Sequence, residues 1–237
     1  MMKNYKDFKV VICGSHGAGK TTLMTDWSEK HGVPVARFAS RDHMPEGTKT
    51  HQDILRLAAN EPEKGIAFQE LLIKNRYELF RNFGSGFVSD RSVFDSLAYY
   101  SMHNAPFNAD IEKDNELSQL ASDSLRLSDL LVMIAPRLEK AEDDGMRVSS
   151  PAYYAAYAAT LSSQVRAALA MYNQNYPITN QTIAVYGCTA DLITVGNLFS
   201  VLVLNEANTA AGIFSREARI ALIETALDVL ARKDNND

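Results

Sequence analysis

The chain carries only two cysteines in 237 residues, Cys13 and Cys188. Each lies at the end of a predicted strand, and neither has a second ligand at metal-binding spacing. That pattern excludes a disulfide framework and suits a reducing cytoplasmic compartment. Positive charge is also in short supply: 24 Lys and Arg stand against 29 Asp and Glu, a formal net charge of −5. This balance argues against broad nonspecific attraction to DNA or to an anionic membrane, while leaving room for a local basic groove. No apolar run approaches the roughly 20 residues that cross a bilayer, and the polar opening MMKNYKDFK lacks the form of a signal peptide. Repeats, low-complexity tracts and linker-like boundaries are missing as well. The expectation is a single domain over residues 1–237, long enough to bury a sizeable core.

Against that plain background one stretch stands out, VVICGSHGAGKTT from Val10 to Thr22. Val10, Val11, Ile12 and Cys13 read as a buried strand. Gly14-Ser15-His16-Gly17-Ala18-Gly19-Lys20-Thr21 then fits G-x-x-x-x-G-K-[ST] at every fixed position. From Lys20 the pattern turns helical, with Leu23, Met24 and Trp27 as the apolar face. Such a strand–loop–helix points successive N–H groups at phosphate oxygens and adds the positive end of a helix. A nucleoside triphosphate is therefore expected here. It would be held by the backbone from Gly14 through Thr22, with Lys20 on the β- and γ-phosphates and the Thr21 hydroxyl on magnesium.

Further along, strands and helices alternate, which predicts a parallel sheet covered on both faces. Val33–Phe38 reads as a short second strand, and the polar segment Ala39–Thr50 as a loop at its carboxyl end. Ligands of α/β folds bind beside such ends, so Arg37, Arg41, Asp42 and His43 are candidates for substrate contact. Gln52–Ala59 reads as a short helix. Ile66–Phe83 is a strong one that also carries Gln69, Lys74, Arg76 and Arg81. Phe87-Val88-Ser89 forms a third strand ending in Asp90-Arg91-Ser92, followed by a helical run over Val93–Met102. Asp110–Leu127 is amphipathic, and Asp129–Ala135 is the most apolar run and the predicted centre of the sheet. The charged segment Arg137–Ser150 leads into a long helix over Pro151–Tyr172. Thr182–Gly187 is a fifth strand candidate, and Leu192–Leu204 fits either a strand or a buried helix. Ser215–Arg232 closes the chain as an amphipathic helix.

A second acidic site decides what a phosphate loop does. Asp90, at a strand end, is placed to hold magnesium or to accept a proton from an attacking hydroxyl. Arg91 beside it suits a phosphate clamp. Asp95 lies one helical turn on, where it would orient Arg91 or meet substrate.

The phosphate loop, the strand ending in Asp90-Arg91-Ser92, and then Asp95, Ala98 and Tyr99 resemble the nucleoside and nucleoside-monophosphate kinase group of P-loop proteins. Deoxynucleoside kinases carry Glu-Arg-Ser at this place and thymidylate kinases Asp-Arg. The nearest resemblance is to small bacteriophage P-loop kinases often labelled AAA-type ATPases, and to the ribosylnicotinamide kinase domain. These share an acidic Asp-Asp-Gly-x-Arg segment, matched by Asp143, Asp144, Gly145 and Arg147. The likeness covers roughly residues 8–190 and leaves 190–214 unplaced. It implies a three-layer α/β/α P-loop kinase fold with a five-stranded, mainly parallel sheet and a lid at about 136–150. Arg147, with Arg137 and Lys140 nearby, would be the lid cation. The chain departs from the pattern in one respect. Deoxynucleoside kinases place a catalytic Glu just after the second strand, where Ala36-Arg37-Phe38-Ala39 stand here, so Asp42 or Asp90 would have to serve.

The implied activity is ATP- and magnesium-dependent phosphoryl transfer to a nucleoside, a nucleoside monophosphate or a related nucleotide. Catalysis would rest on Lys20, Asp90, Arg91, Arg147 and Asp42, with Thr21 and Asp90 on the metal. Arg37, Arg41, Gln69, Arg76 and Asp95 would bind the acceptor. One variant transfers phosphate to a hydroxymethylated base, such as 5-hydroxymethyluracil, within DNA, where Arg37, Arg41, Lys49, Lys74, Arg76 and Arg81 would have to supply a basic face. A third reading is an ATPase that drives a partner, although no extended apolar strand ends in Asp-Glu. No Asn-Lys-x-Asp element for guanine occurs. A homodimer is compatible with these readings, and no membrane partner is expected.

Overall fold

The apolar runs around Val11 and Leu131 lie side by side at the centre of one sheet. The computed structural model describes residues 4–15, 17–104, 110–134, 150–204 and 214–233. Its six strands are β1 (Lys9–Gly14), β2 (Phe87–Ser89), β3 (Leu130–Ile134), β4 (Ile178–Val185), β5 (Cys188–Val195) and β6 (Phe199–Leu204), in the order β2-β1-β3-β6-β5-β4. The first four run parallel, with Val10 opposite Leu130 and Gly14 opposite Ile134. β5 then runs antiparallel to β6, and β4 antiparallel to β5.

Side chains alternate across this sheet, so β1 supplies both layers of the core. Val11 and Cys13 join Leu131 and Val201 on one face. There they pack under α3 (Pro62–Asn82), α4 (Val93–Asn104), α5 (Ile111–Ser124) and α6 (Pro151–Asn173). Val10 and Ile12 join Leu130, Val132 and Leu202 on the other face, under α1 (Lys20–His31) and α7 (Arg216–Lys233). Each such buried aliphatic side chain contributes about 1.5–3 kcal/mol, which is why the central strands read as nearly unbroken apolar runs. A three-layer α/β/α arrangement with a largely parallel sheet results. Among the described residues, no helix is long and apolar enough to cross a membrane.

The strand count differs from the expected five, for local reasons. Val33–Phe38 makes only one bridge, Val35 to Val88. Pro34 has no N–H to give a ladder there, although its carbonyl accepts from the Val88 N–H at 3.0 Å. The expected strand at Thr182–Gly187 begins earlier, at Ile178, and ends in a tight turn. Tyr186 and Gly187, both at positive φ (52° and 75°), reverse the chain into β5. Leu192–Leu204, ambiguous between strand and helix, is two strands joined through Gly196 at φ 49°. The Asp110–Leu127 helix relaxes into a 3-10 turn over Leu125–Leu127.

A shorter helix, α2 (His51–Asn60), starts at a capping box between Thr50 and Asp53. It packs tightly on α3 where Gly65 faces Ala58; a Cβ on Gly65 would lie 2.8 Å from the Ala58 backbone. This close crossing brings α2 and α3 together around a cavity beside the carboxyl end of β2.

Candidate active site

The loop after β1 bends at Gly14, whose φ is 145° and whose absent Cβ would sit 2.6 Å from the Ile134 carbonyl oxygen. Only glycine allows β1 to lie this close to β3 and still turn into the loop. Gly19, in the left-handed region, starts α1. Lys20 is buried, and its Nζ donates to the carbonyls of Gly14 (2.8 Å) and Ser15 (2.7 Å) across the mouth of its own loop. Burial first, and the positive charge of Arg91 second, lower the Lys20 ammonium to about 7. Asp95, Asp90 and Cys13 pull the other way. Position His16 lies outside the described residues.

Beyond the loop, the Thr21 hydroxyl donates to Asp90 Oδ2 at 2.6 Å. Two hard oxygen donors thus meet in front of the phosphate loop. They suit magnesium, which takes one or two protein oxygens and keeps water and phosphate oxygens for the rest. Asp90 is not the cap of α4. That role falls to Ser92 and Asp95: the Ser92 N–H donates to Asp95 Oδ2 (2.7 Å), and the Asp95 N–H donates to Ser92 Oγ (3.2 Å). Buried Asp95 also accepts the Tyr157 hydroxyl (2.8 Å) and lies 3.7 Å from the Arg91 guanidinium. Arg91 and Asp95 therefore come together as their spacing predicts.

On the far side of Arg91 opens a cavity of about 170 Å³. Gln69 and Arg76, seven residues apart on one face of α3, form its inner wall with Ser96 and Tyr99. Arg41 and Lys49 flank it, and Ile54, Phe68 and Leu72 give it an apolar side. Buried Arg76 donates to the Ser92 carbonyl (3.2 Å) and to Ser96 Oγ, and its guanidinium lies 5.0 Å from the Phe38 ring. Gln69 is buried with its Oε1 unsatisfied, and so is the Arg76 Nε. Orphaned buried polar atoms lining a cavity mark where a polar ligand fits.

The remaining predicted positions fall elsewhere. Arg37 is exposed and does not line the cavity. Asp42 is likewise exposed, in the 3-10 turn Ser40–His43, and also outside the lining. Arg147 and most of the expected lid at 136–150 lie outside the described residues. Sequence reasoning missed Arg219 of α7, a buried side chain that donates to the Ala18 carbonyl of the phosphate loop at 3.0 Å. No sequence signal marks it, because the contact spans 201 positions.

The class these features define is a P-loop protein of three-layer α/β/α architecture. Residues 9–180, most of the chain, match the model of the AAA domain family, and the protein belongs to that family. A search of curated proteins gives no match. Among solved structures, deoxyadenosine kinase from M. mycoides with products dCMP and a flexible dCDP bound is similar at TM-score 0.52 and 15% identity, over 94% of this chain and 99% of that one. The same enzyme with bound dCTP is similar at TM-score 0.53 and 16% identity, over 93% and 99%. At such identity the likeness speaks to the fold.

Proposed function

We propose that the protein is an ATP- and magnesium-dependent phosphotransferase whose acceptor is a nucleoside, a nucleoside monophosphate or a related nucleotide. The observation that carries this reading is the junction at Asp90-Arg91. Asp90 touches the phosphate-loop threonine, while the next residue lines the cavity beside it. A donor site and an acceptor site thus share one strand end, as transfer between two bound molecules requires.

In this reading the loop amides and Lys20 hold the triphosphate. Thr21 and Asp90 would hold magnesium, which when bound neutralises charge on the β- and γ-phosphates. Arg91, fixed by Asp95, faces the charge that develops on the transferring group. Gln69 offers an amide acceptor and a donor to the edge of a nucleobase, with Phe68 and Leu72 against its faces. Arg76 holds the cavity wall, Arg41 reaches the acceptor from the rim, and Arg147 would close from the lid. Asp42 is too exposed to serve as a shielded base, which leaves Asp90 as the nearer carboxylate.

Of the six cations that transfer to DNA would need as a basic face, three are engaged or buried, while Arg37, Arg41 and Lys49 stay exposed. Lys74 is paired with Glu70 (2.7 Å) and Glu116 (3.0 Å), Arg81 with Glu78 (3.2 Å), and Arg76 is buried. The test is a labelled-ATP transfer screen against nucleosides, their monophosphates, and DNA with and without hydroxymethylated bases. ATP turnover that no acceptor changes and that labels none would overturn the reading in favour of an ATPase.

A further inference from the structure

The balance of charge in the acceptor cavity is lopsided. Arg41, Lys49, Arg76 and Arg91 line it, and among the described residues Asp95 is the only carboxylate that does. Asp95 is fully committed: Oδ2 accepts from the Ser92 N–H and hydroxyl, both at 2.7 Å, and Oδ1 accepts from Tyr157 (2.8 Å) and faces Arg91. Its negative charge is therefore shared among these donors. The hydrogen bonds of Arg76 go to neutral oxygens, those of Ser92, Ser96 and Ser40, and it shares the field of Asp95 with Arg91. No ion pair engages Arg41 or Lys49 among the described residues. A cavity with this surplus is poor at binding a neutral nucleoside and well suited to an anion.

The same shortage bears on the chemistry. If a sugar hydroxyl attacks the γ-phosphorus, a new O–P bond forms, the bond to the β-bridging oxygen breaks, and a proton is left over. A nearby base must take that proton. If a phosphate oxygen attacks, the same bonds form and break and the products are ADP and a nucleoside diphosphate. No proton is released, because the attacking oxygen already carries its charge. Asp90, the carboxylate nearest the junction, is engaged by the Thr21 hydroxyl where magnesium would sit, and among the described residues the cavity lining offers no uncommitted one, which suits the second case.

We infer that the acceptor is a phosphorylated nucleoside, a nucleoside monophosphate, whose phosphate is met by Arg91 on the loop side and by Arg41 and Lys49 at the rim. Gln69 then faces the base at the inner end. This deepens the kinase reading of the same site and rests on it.

The test fills the phosphate loop with a non-hydrolysable ATP analogue. It then measures binding of 2′-deoxyadenosine, 2′-deoxycytidine and thymidine, each against its 5′-monophosphate. The monophosphate of at least one base is expected to bind ten- to a hundredfold more tightly than its nucleoside, the worth of one or two charged hydrogen bonds. The Arg41→Ala/Lys49→Ala double variant, altered only at exposed positions, should lose most of that preference. Nucleosides binding as tightly as their monophosphates would overturn the inference, and so would a preference that the double variant leaves intact. Labelled-ATP transfer on the same proteins separates the two levels. Transfer to monophosphates supports both, and transfer to nucleosides alone overturns the acceptor class. Tight monophosphate binding with no transfer to anything supports the ligand class and removes the kinase reading.

Discussion

The Thr21 hydroxyl and the Asp90 carboxylate meet at 2.6 Å across 69 residues of chain. The contact ties the first turn of α1 to the end of β2, and it exists because β1 and β2 are parallel neighbours whose carboxyl ends open on the same side. Asp90→Asn keeps the shape but removes the charge that would hold magnesium. Turnover should fall by on the order of 10²–10³ while ATP affinity changes only a fewfold. Steady-state kinetics with direct ATP titration separates the two effects. A folded Asp90→Asn protein with full turnover would remove Asp90 from the mechanism.

Lys20 makes the triphosphate site sensitive to pH. Its ammonium has an ordinary value of 10.5 and stands at about 7 in the folded protein, through burial first and Arg91 second. Between about 7 and 10.5 the unfolded chain therefore holds the proton more tightly. The contribution of this group to stability rises with pH across that window and is least below it. Bound phosphates restore the charge, so triphosphate binding above pH 7 takes up a proton, and affinity should fall up to ~tenfold per pH unit. Calorimetry in buffers of different ionisation enthalpy checks the uptake. Lys20→Ala should abolish both transfer and the pH dependence.

Asp95 anchors the arginine side of the site. Asp95→Asn leaves Arg76 and Arg91 without their nearest carboxylate in a buried setting and weakens the bonds to Ser92 and Tyr157. The expected loss of stability is about 3 kcal/mol, read from denaturant midpoints. Tyr157→Phe, which removes only one of these bonds, should cost about 1 kcal/mol. If Arg91 needs Asp95 to hold it, Asp95→Asn also lowers kcat more than it raises KM.

Gly14→Ala tests the close packing of β1 on β3. The added methyl would meet the Ile134 carbonyl at 2.6 Å in a backbone conformation that L-residues rarely adopt. A destabilisation of more than about 2 kcal/mol is expected, with weakened triphosphate binding in whatever fraction folds. Thermal unfolding with and without ATP measures both.

Much of this was legible in the residue order, and the reasons are physical. The Gly14–Thr21 spacing dictates a loop whose amides converge, whatever surrounds it. The unbroken apolar runs at Val10–Cys13 and Leu130–Ile134 could only be strands covered on both faces. Asp90-Arg91-Ser92 followed by Asp95 predicted an ordered Arg91, because Asp95 in the first turn of α4 lies within reach of a residue just ahead of that helix. Less was legible where pairing is nonlocal. Pro34 weakened a strand that apolar content alone suggested. The Tyr186-Gly187 turn set a register that made β4 and β5 antiparallel, which local periodicity does not report.

By itself, the sequence determined that a triphosphate-type loop sits between a buried strand and a helix, and that an acidic-basic pair ends another strand. Both depend on local chemistry: glycine's freedom, backbone amides and short-range side-chain spacing. The tertiary structure alone decided that Asp90 touches Thr21, that Arg219 braces Ala18, and that Gln69, Arg76, Arg41 and Lys49 share one cavity in which Asp95 is the only carboxylate among the described residues. Those relations join residues far apart in the chain. They follow from how parallel strands align their ends and how α2 crosses α3, and that arrangement is fixed by packing.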